Sequence, residues 1–160
     1  MELLCIDPGP KESGMVVYDG KNVIEVWPSI ENDRALKLLN GDYTDHLSIE
    51  MVSSFGMPVG RDVFETVLWI GRFIQAYPWE HTKVYRKDVK MALCQSARAK
   101  DANIRQAILD RFPVWGGGKT PQVGTKKEPG PLYGVSKHAW AALAVGIAWF
   151  EKNYSEVVDE

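Results

Sequence analysis

Long apolar runs, paired cysteines and internal repeats are all missing from this 160-residue sequence. No stretch approaches the roughly 18 apolar residues that cross a bilayer, and the short acidic start does not read as a signal peptide, so a cytoplasmic protein is expected. The two cysteines, Cys5 and Cys94, form no CxxC or zinc spacing. Both lie among apolar neighbours and read as small core residues in a reducing compartment. A chain of this length buries roughly two thirds of its unfolded surface without disulfides, which favours one domain spanning 1–160.

Net charge is also nearly absent, at −2, but that total hides an asymmetry. From Lys83 to Lys127 there are 11 Lys and Arg against 3 acids, and the rest of the chain carries 8 basic and 18 acidic residues. A basic zone on an otherwise acidic chain is the footprint of a polyanion partner such as nucleic acid. The alternative is a solvated surface with chance clustering.

What is present is organised around Leu3 to Gly20. Leu3-Leu4-Cys5-Ile6 is apolar on both faces, as suits a central buried strand, and Pro8-Gly9 stops it. Asp7 then sits at the strand's carboxyl end, where open α/β sheets gather their ligands; taken alone, Asp-Pro-Gly is more often only a turn. Met15 to Tyr18 and Asn22 to Trp27, joined by Asp19-Gly20, read as an antiparallel meander. A helix is expected over Ile30 to Asn40, capped by Ser29 and stopped by Gly41.

Asp45 to Val52 returns to strand alternation. Leu47, Ile49 and Met51 share one face, and Glu50 falls on the other with Ser48 and Val52. A carboxylate on a buried-looking strand end is costly unless paired or metal-bound. Arg61 to Ala76 is the strongest amphipathic helix, with Val63, Val67, Ile70, Gly71 and Ile74 in one stripe and Phe64 and Leu68 beside it. With Trp69 and Phe73 added, that arc is wide enough for two contacts, one with the sheet and one with a second subunit, or else for a single deep burial.

His81 to Arg86 reads as the last strand and Lys87 to Leu93 as a helix. Asp101 is expected to cap a helix over Ala102 to Phe112. Pro113 to Gly134, rich in Gly, Pro and Lys, reads as a flexible basic loop whose Trp115 and Tyr133 stack on bases. A helix over Ser136 to Tyr154 is capped by Ser136, and the acidic tail 155–160 frays. This order predicts an α/β fold: a mixed five-stranded sheet with helices packed on it.

Four segments, IDPGPKESG, LSIEMVSSFGMPVG, RKDVKMALCQSARAKDANIRQAI and SKHAWAALAVG, together resemble the RuvC-type Holliday junction resolvases of the RNase H-like (retroviral integrase) superfamily, and within it the small resolvase-like proteins of bacteriophages. Their order and spacing carry the resemblance from Leu3 to about Phe150. It implies an RNase H-like sheet with helices on both faces. It also implies a homodimer that cuts four-way or other branched DNA with Mg²⁺ or Mn²⁺ and no organic cofactor.

Carried over by position, the resemblance makes Asp7 and Glu50 catalytic metal ligands. His138 falls where members have Asp or His, and acts as a ligand or as a general base. Lys100 matches a basic residue before the penultimate helix, with Asp101 competing for that register, and contacts the scissile phosphate. The position three residues after His138, where many members place a last aspartate, is Ala141; either the second ion is held loosely or Asp45 or Asp101 completes the set. DNA contacts are expected from Lys87, Lys90, Arg98, Lys100, Trp115, Lys119, Lys126, Lys127 and Tyr133. The competing readings are a junction-binding protein that has lost cleavage, a generic RNase H-like nuclease and, least favoured because it needs two such subdomains, an actin-like ATPase.

Overall fold

The structure, a computed structural model, describes residues 1–41, 44–54 and 56–154. The acidic tail 155–160 lies outside the described residues. Among the described residues, five strands and five helices follow one another as β1 (Leu3–Asp7), β2 (Glu12–Tyr18), β3 (Val23–Glu31), α1 (Asn32–Asn40), β4 (His46–Met51), α2 (Arg61–Ala76), β5 (His81–Tyr85), α3 (Arg86–Cys94), α4 (Asp101–Leu109) and α5 (Ala139–Tyr154).

The sheet order is β3-β2-β1-β4-β5. β1 pairs antiparallel with β2 and parallel with β4, β2 pairs antiparallel with β3, and β5 joins β4 in parallel. The most apolar strand is therefore central, as its two-faced sequence requires. Its side chains alternate between two cores. Leu3 and Cys5 pack beneath α3, α4 and α5, whereas Leu4 and Ile6 pack against Ala35 and Leu39 of α1 and Ile70 and Phe73 of α2. The expected mixed five-stranded sheet with helices on both faces is the architecture observed. Cys5 is fully buried, which pushes its thiol far up and leaves it a packing residue. No described helix is long and apolar enough to cross a membrane.

Several local expectations are corrected. β3 runs through Pro28 to Glu31, so Ser29 lies in a strand and does not cap α1. A proline is tolerated there because β3 is an edge strand and Pro28 falls at a register shift between the Ser13–Ile30 and Met15–Trp27 pairs. On α2 the buried residues are Thr66, Ile70 and Phe73, while Phe64 is 65% exposed, Leu68 59% and Val67 38%. The stripe is rotated from the expected one because Thr66 counts as apolar once its hydroxyl donates to the Asp62 carbonyl.

Asp101 is the first residue of α4 rather than its cap. The Asn103 side chain instead accepts from the Lys100 amide at 2.9 Å. The regular part of α5 begins at Ala139, not Ser136, because Lys137 takes φ +48° and cannot continue a helix.

The segment 113–134 forms neither helix nor paired strand, yet it is cross-braced. Gly117 donates to Glu128, Gly130 to Val123 and Leu132 to Gln122, and the Gln122 side chain donates to the Leu109 carbonyl. Its end is anchored by Leu132, which is fully buried.

Candidate functional site

β1 and β4 lie in parallel with Ile6 beside Ile49, so one further step brings Asp7 alongside Glu50 at the carboxyl ends of both strands. Both side chains lean to the α5 face, with side-chain exposures of 22% and 16%. Glu50 donates a carboxyl hydrogen bond to Asp7 when it holds the proton. Burial raises the Asp7 pKa to about 6, against the lowering influence of Arg86. Burial and the neighbouring Asp7 charge raise Glu50 to about 7. Two half-buried carboxyls that resist ionising side by side need either a shared proton or a cation between them.

The chain after Asp7 is fixed by a small polar ring. The Gly9 amide donates to Ser13 Oγ, Ser13 Oγ donates to Asn32 Oδ1, and Asn32 Nδ2 donates to the Gly9 carbonyl. Ser13 and Asn32 are both buried, which makes the turn at Pro8-Gly9 a rigid frame for the carboxylate.

His138 comes from the turn before α5. Its amide donates to the Pro28 carbonyl at 3.1 Å, and its backbone lies so close to Gly14 that any Cβ at position 14 would collide with it. Gly14 is the residue paired with Asp7 across the sheet, so a bare glycine there is what lets the histidine approach. His138 Nδ1 stands 3.8 Å from Asp7 Oδ2, and Nε2 stands 3.8 Å from Glu12 Oε1. The three expected ligands are thus brought to one place, with Asp7 in the middle. As the side chains stand, no group of three His, Cys, Asp or Glu among the described residues closes on one ion.

The donor set nevertheless fits a hard divalent cation. Two half-buried carboxylates that lack a full counter-charge offer oxygen ligands, and the adjoining imidazole suits Mn²⁺ better than Mg²⁺. Of the acids considered for completing the set, Asp101 is engaged by Arg86, and Asp45 is occupied at the far end of β1, accepting from the Glu2 amide.

Arg86 was not picked out from the sequence. It follows β5 directly, lies 3.8 Å from Glu50 Oε1, and also pairs with Asp101. The rule that singled out Asp7, that the residue ending a parallel strand faces the crevice, points to Arg86 as well. Lys87 and Lys90 border a hollow on the other side of Glu50 and Arg86. Lys100 and Arg98 are exposed on the run into α4, and Lys100 is not among the side chains lining the cleft over Asp7. Trp115 is 65% exposed and Tyr133 48%, and Lys119, Lys126 and Lys127 are exposed on the same cross-braced loop.

No family model matches the sequence, and neither does any curated protein. The fold does have solved counterparts. A Thermus thermophilus RuvC structure superposes with a TM-score of 0.66 at 16% identity over 97% of this chain and 97% of that one. T. thermophilus RuvC in complex with a Holliday junction substrate superposes with a TM-score of 0.64 at 16% identity, over 99% of this chain and 96% of the other. The chain therefore has the fold of RuvC along nearly its whole length.

Proposed function

We propose that this protein is a divalent-metal-dependent endonuclease that cuts four-way or other branched DNA by phosphodiester hydrolysis. One observation carries the reading. On a RuvC fold, Asp7 and Glu50 stand side by side at adjoining strand ends, with His138 3.8 Å from Asp7. That RuvC itself was captured with a Holliday junction supports DNA of that shape as the substrate class.

Asp7 and Glu50, with His138 beside them, would hold Mg²⁺ or Mn²⁺. Such ions activate water and neutralise charge at the attacked phosphorus. If His138 does not ligate, its imidazole is placed to take a proton from the attacking water. Arg86, 3.8 Å from Glu50 Oε1, restrains that carboxylate beside Asp7. Around this centre the exposed cations Lys87, Arg98, Lys100, Lys119, Lys126 and Lys127 and the partly buried Lys90 offer sequence-independent phosphate contacts, and Trp115 and Tyr133 offer flat apolar surface to unstacked bases.

A homodimer belongs to this reading, and α2 supports it. Phe64 projects outward, and a groove of about 680 Å³ between α1 and α2, lined by Leu36, Val67, Leu68 and Gly71, lies on the same helix. Projection and groove on one helix suit a two-fold contact in which each copy fills the other. Two active sites related by such an axis meet two strands of a four-way junction.

The test is cleavage of a labelled four-way junction, with a matched linear duplex as control, in Mg²⁺ and in Mn²⁺. Paired symmetric nicks that vanish in Asp7→Asn are expected. Tight binding of the junction without nicks in either metal would show instead a recognition protein, the second reading, which Ala141 favours by leaving the cleft one acid short.

A further inference from the structure

The cleft of about 680 Å³ over Asp7 has a second set of charges that the preceding assignment does not use. Arg105, Lys137 and Trp140 line it together with Ala141. The Arg105 guanidinium carbon lies 4.8 Å from the Trp140 ring centroid. A guanidinium resting on an indole face is oriented before any ligand arrives, and its planar fork matches phosphate oxygens. Lys137 holds φ +48°, a backbone state that glycine and asparagine adopt freely and lysine rarely does. That kink ends the approach to α5 and sets Lys137 in the cleft next to His138.

Among the described residues neither Arg105 nor Lys137 forms an ion pair, whereas Arg86 is spent on Glu50 and Asp101. With alanine at 141, this wall has no acid of α5 to neutralise them. Asp101, the other acid lining this cleft, is engaged by Arg86, so two cations outside any ion pair share a hollow with Asp7, an arrangement that favours an anion lying between them.

We propose that Arg105 and Lys137 form a phosphate clamp that grips the non-bridging oxygens of the phosphodiester at the cut. The clamp supplies positive charge on the side of the cleft where a further acid, with its ion, would otherwise stand. This rests on the endonuclease reading and names two substrate-contacting residues for it. Trp140 is a positioning residue that acts through Arg105.

The experiment measures junction binding in EDTA across a salt series, and single-turnover cleavage in Mg²⁺ and Mn²⁺, for wild type, Arg105→Gln, Lys137→Gly and the double variant. Glycine suits the positive φ at 137, so that variant keeps the fold, and thermal unfolding of each protein confirms it. Lys21→Gln, in the turn between β2 and β3 at the other end of the sheet, is the control.

Each clamp substitution is expected to weaken metal-free binding about tenfold and to lower the slope of log affinity against log salt by about 1. Single-turnover cleavage is expected to fall by roughly a hundredfold, as when one fixed donor to a developing oxyanion is removed. Arg105→Lys should keep the salt slope and still lose rate, because a point charge lacks the fork. Ala141→Asp should pair with the clamp and weaken metal-free binding.

Unchanged slope and rate in the Arg105 and Lys137 variants, with wild type binding and cutting, would overturn the clamp alone. So would Ala141→Asp raising cleavage with no loss of metal-free binding. A wild type that neither binds nor cuts the junction would remove the endonuclease reading itself, and the clamp with it.

Discussion

Two helices of sixteen residues each, α2 and α5, cover opposite faces of the same sheet and do so in different ways. In α5 nine residues are buried, from Ala139 to Trp149, and Gly146 lies so close to Cys5 that a Cβ there would strike its sulfur. In α2 only Thr66, Ile70 and Phe73 are buried, and Phe64, Val67 and Leu68 face outward. Both segments are rich in apolar residues. The difference lies in what packs on them: α5 is enclosed by the sheet, α3 and α4, whereas α2 meets the sheet and α1 and then ends against solvent. The lesson is that apolar content reports how much surface seeks cover, and only the packing shows whether this chain provides it.

The proposed chemistry sits on the enclosed side, so the largest effects should arise there. Asp7→Asn is expected to abolish junction cleavage, by a factor of at least ~10³, with metal-free binding retained, measured by single-turnover nicking and gel shift. Leu143→Ala, fully buried in α5, should cost about 2–5 kcal/mol of stability in urea unfolding. The matched change on α2, Leu68→Ala, should stay within about 0.5 kcal/mol at concentrations where the protein is monomeric. Equal costs at both positions would show that the comparison of the two helices is wrong.

Leu68→Glu sharpens the same contrast. On the proposed dimer it should leave the fold intact and reduce the sedimenting mass from twice 18.0 kDa to 18.0 kDa, and with it the proposed pairing of nicks across the junction. A dimer that survives both Leu68→Glu and Phe64→Glu would place the interface elsewhere.

The smallest expected effect is the pH dependence of stability. The folded-state pKa values of Asp7 and Glu50 are raised above their ordinary values, to about 6 and about 7. Their contribution to metal-free stability is therefore fully present below about pH 4 and is lost as pH rises through 6 to 7. In EDTA the melting temperature should fall by a few degrees between pH 5 and pH 8, since ~1 kcal/mol moves it by about 2–4 °C in a chain of this size. Asp7→Asn should flatten that fall, and Mn²⁺ should reverse it in wild type. A melting temperature that rises from pH 5 to pH 8 in EDTA would contradict the paired-carboxylate geometry.

Much of the architecture was legible because strand and helix periodicities are local. The two-faced run Leu3 to Ile6 marked the central strand, the alternation around Ile49 turned Glu50 away from the apolar face, and Arg61 to Ala76 was bounded correctly. The errors were also local in origin. Ser29 looked like a cap because Pro28 looked like a strand end, and nothing in the sequence reveals that β3 is an edge strand with a register shift at that proline. Asp101 looked like a cap because its partner Arg86 is fifteen residues away. Arg105, Lys137 and Trp140 gave no pattern at all, since they come from two helices and a kinked turn that meet only in the folded chain.

The sequence by itself determined at which strand ends the candidate acids Asp7 and Glu50 sit, because strand termini, helix faces and turn chemistry are set within a few residues of backbone. The tertiary structure alone decided that Asp7 and Glu50 are neighbours, that a glycine at 14 admits His138 to them, and that the other wall of the cleft is cationic. Those facts depend on strand register and on the close approach of distant segments. Such terms arise only when the two cores form together around β1.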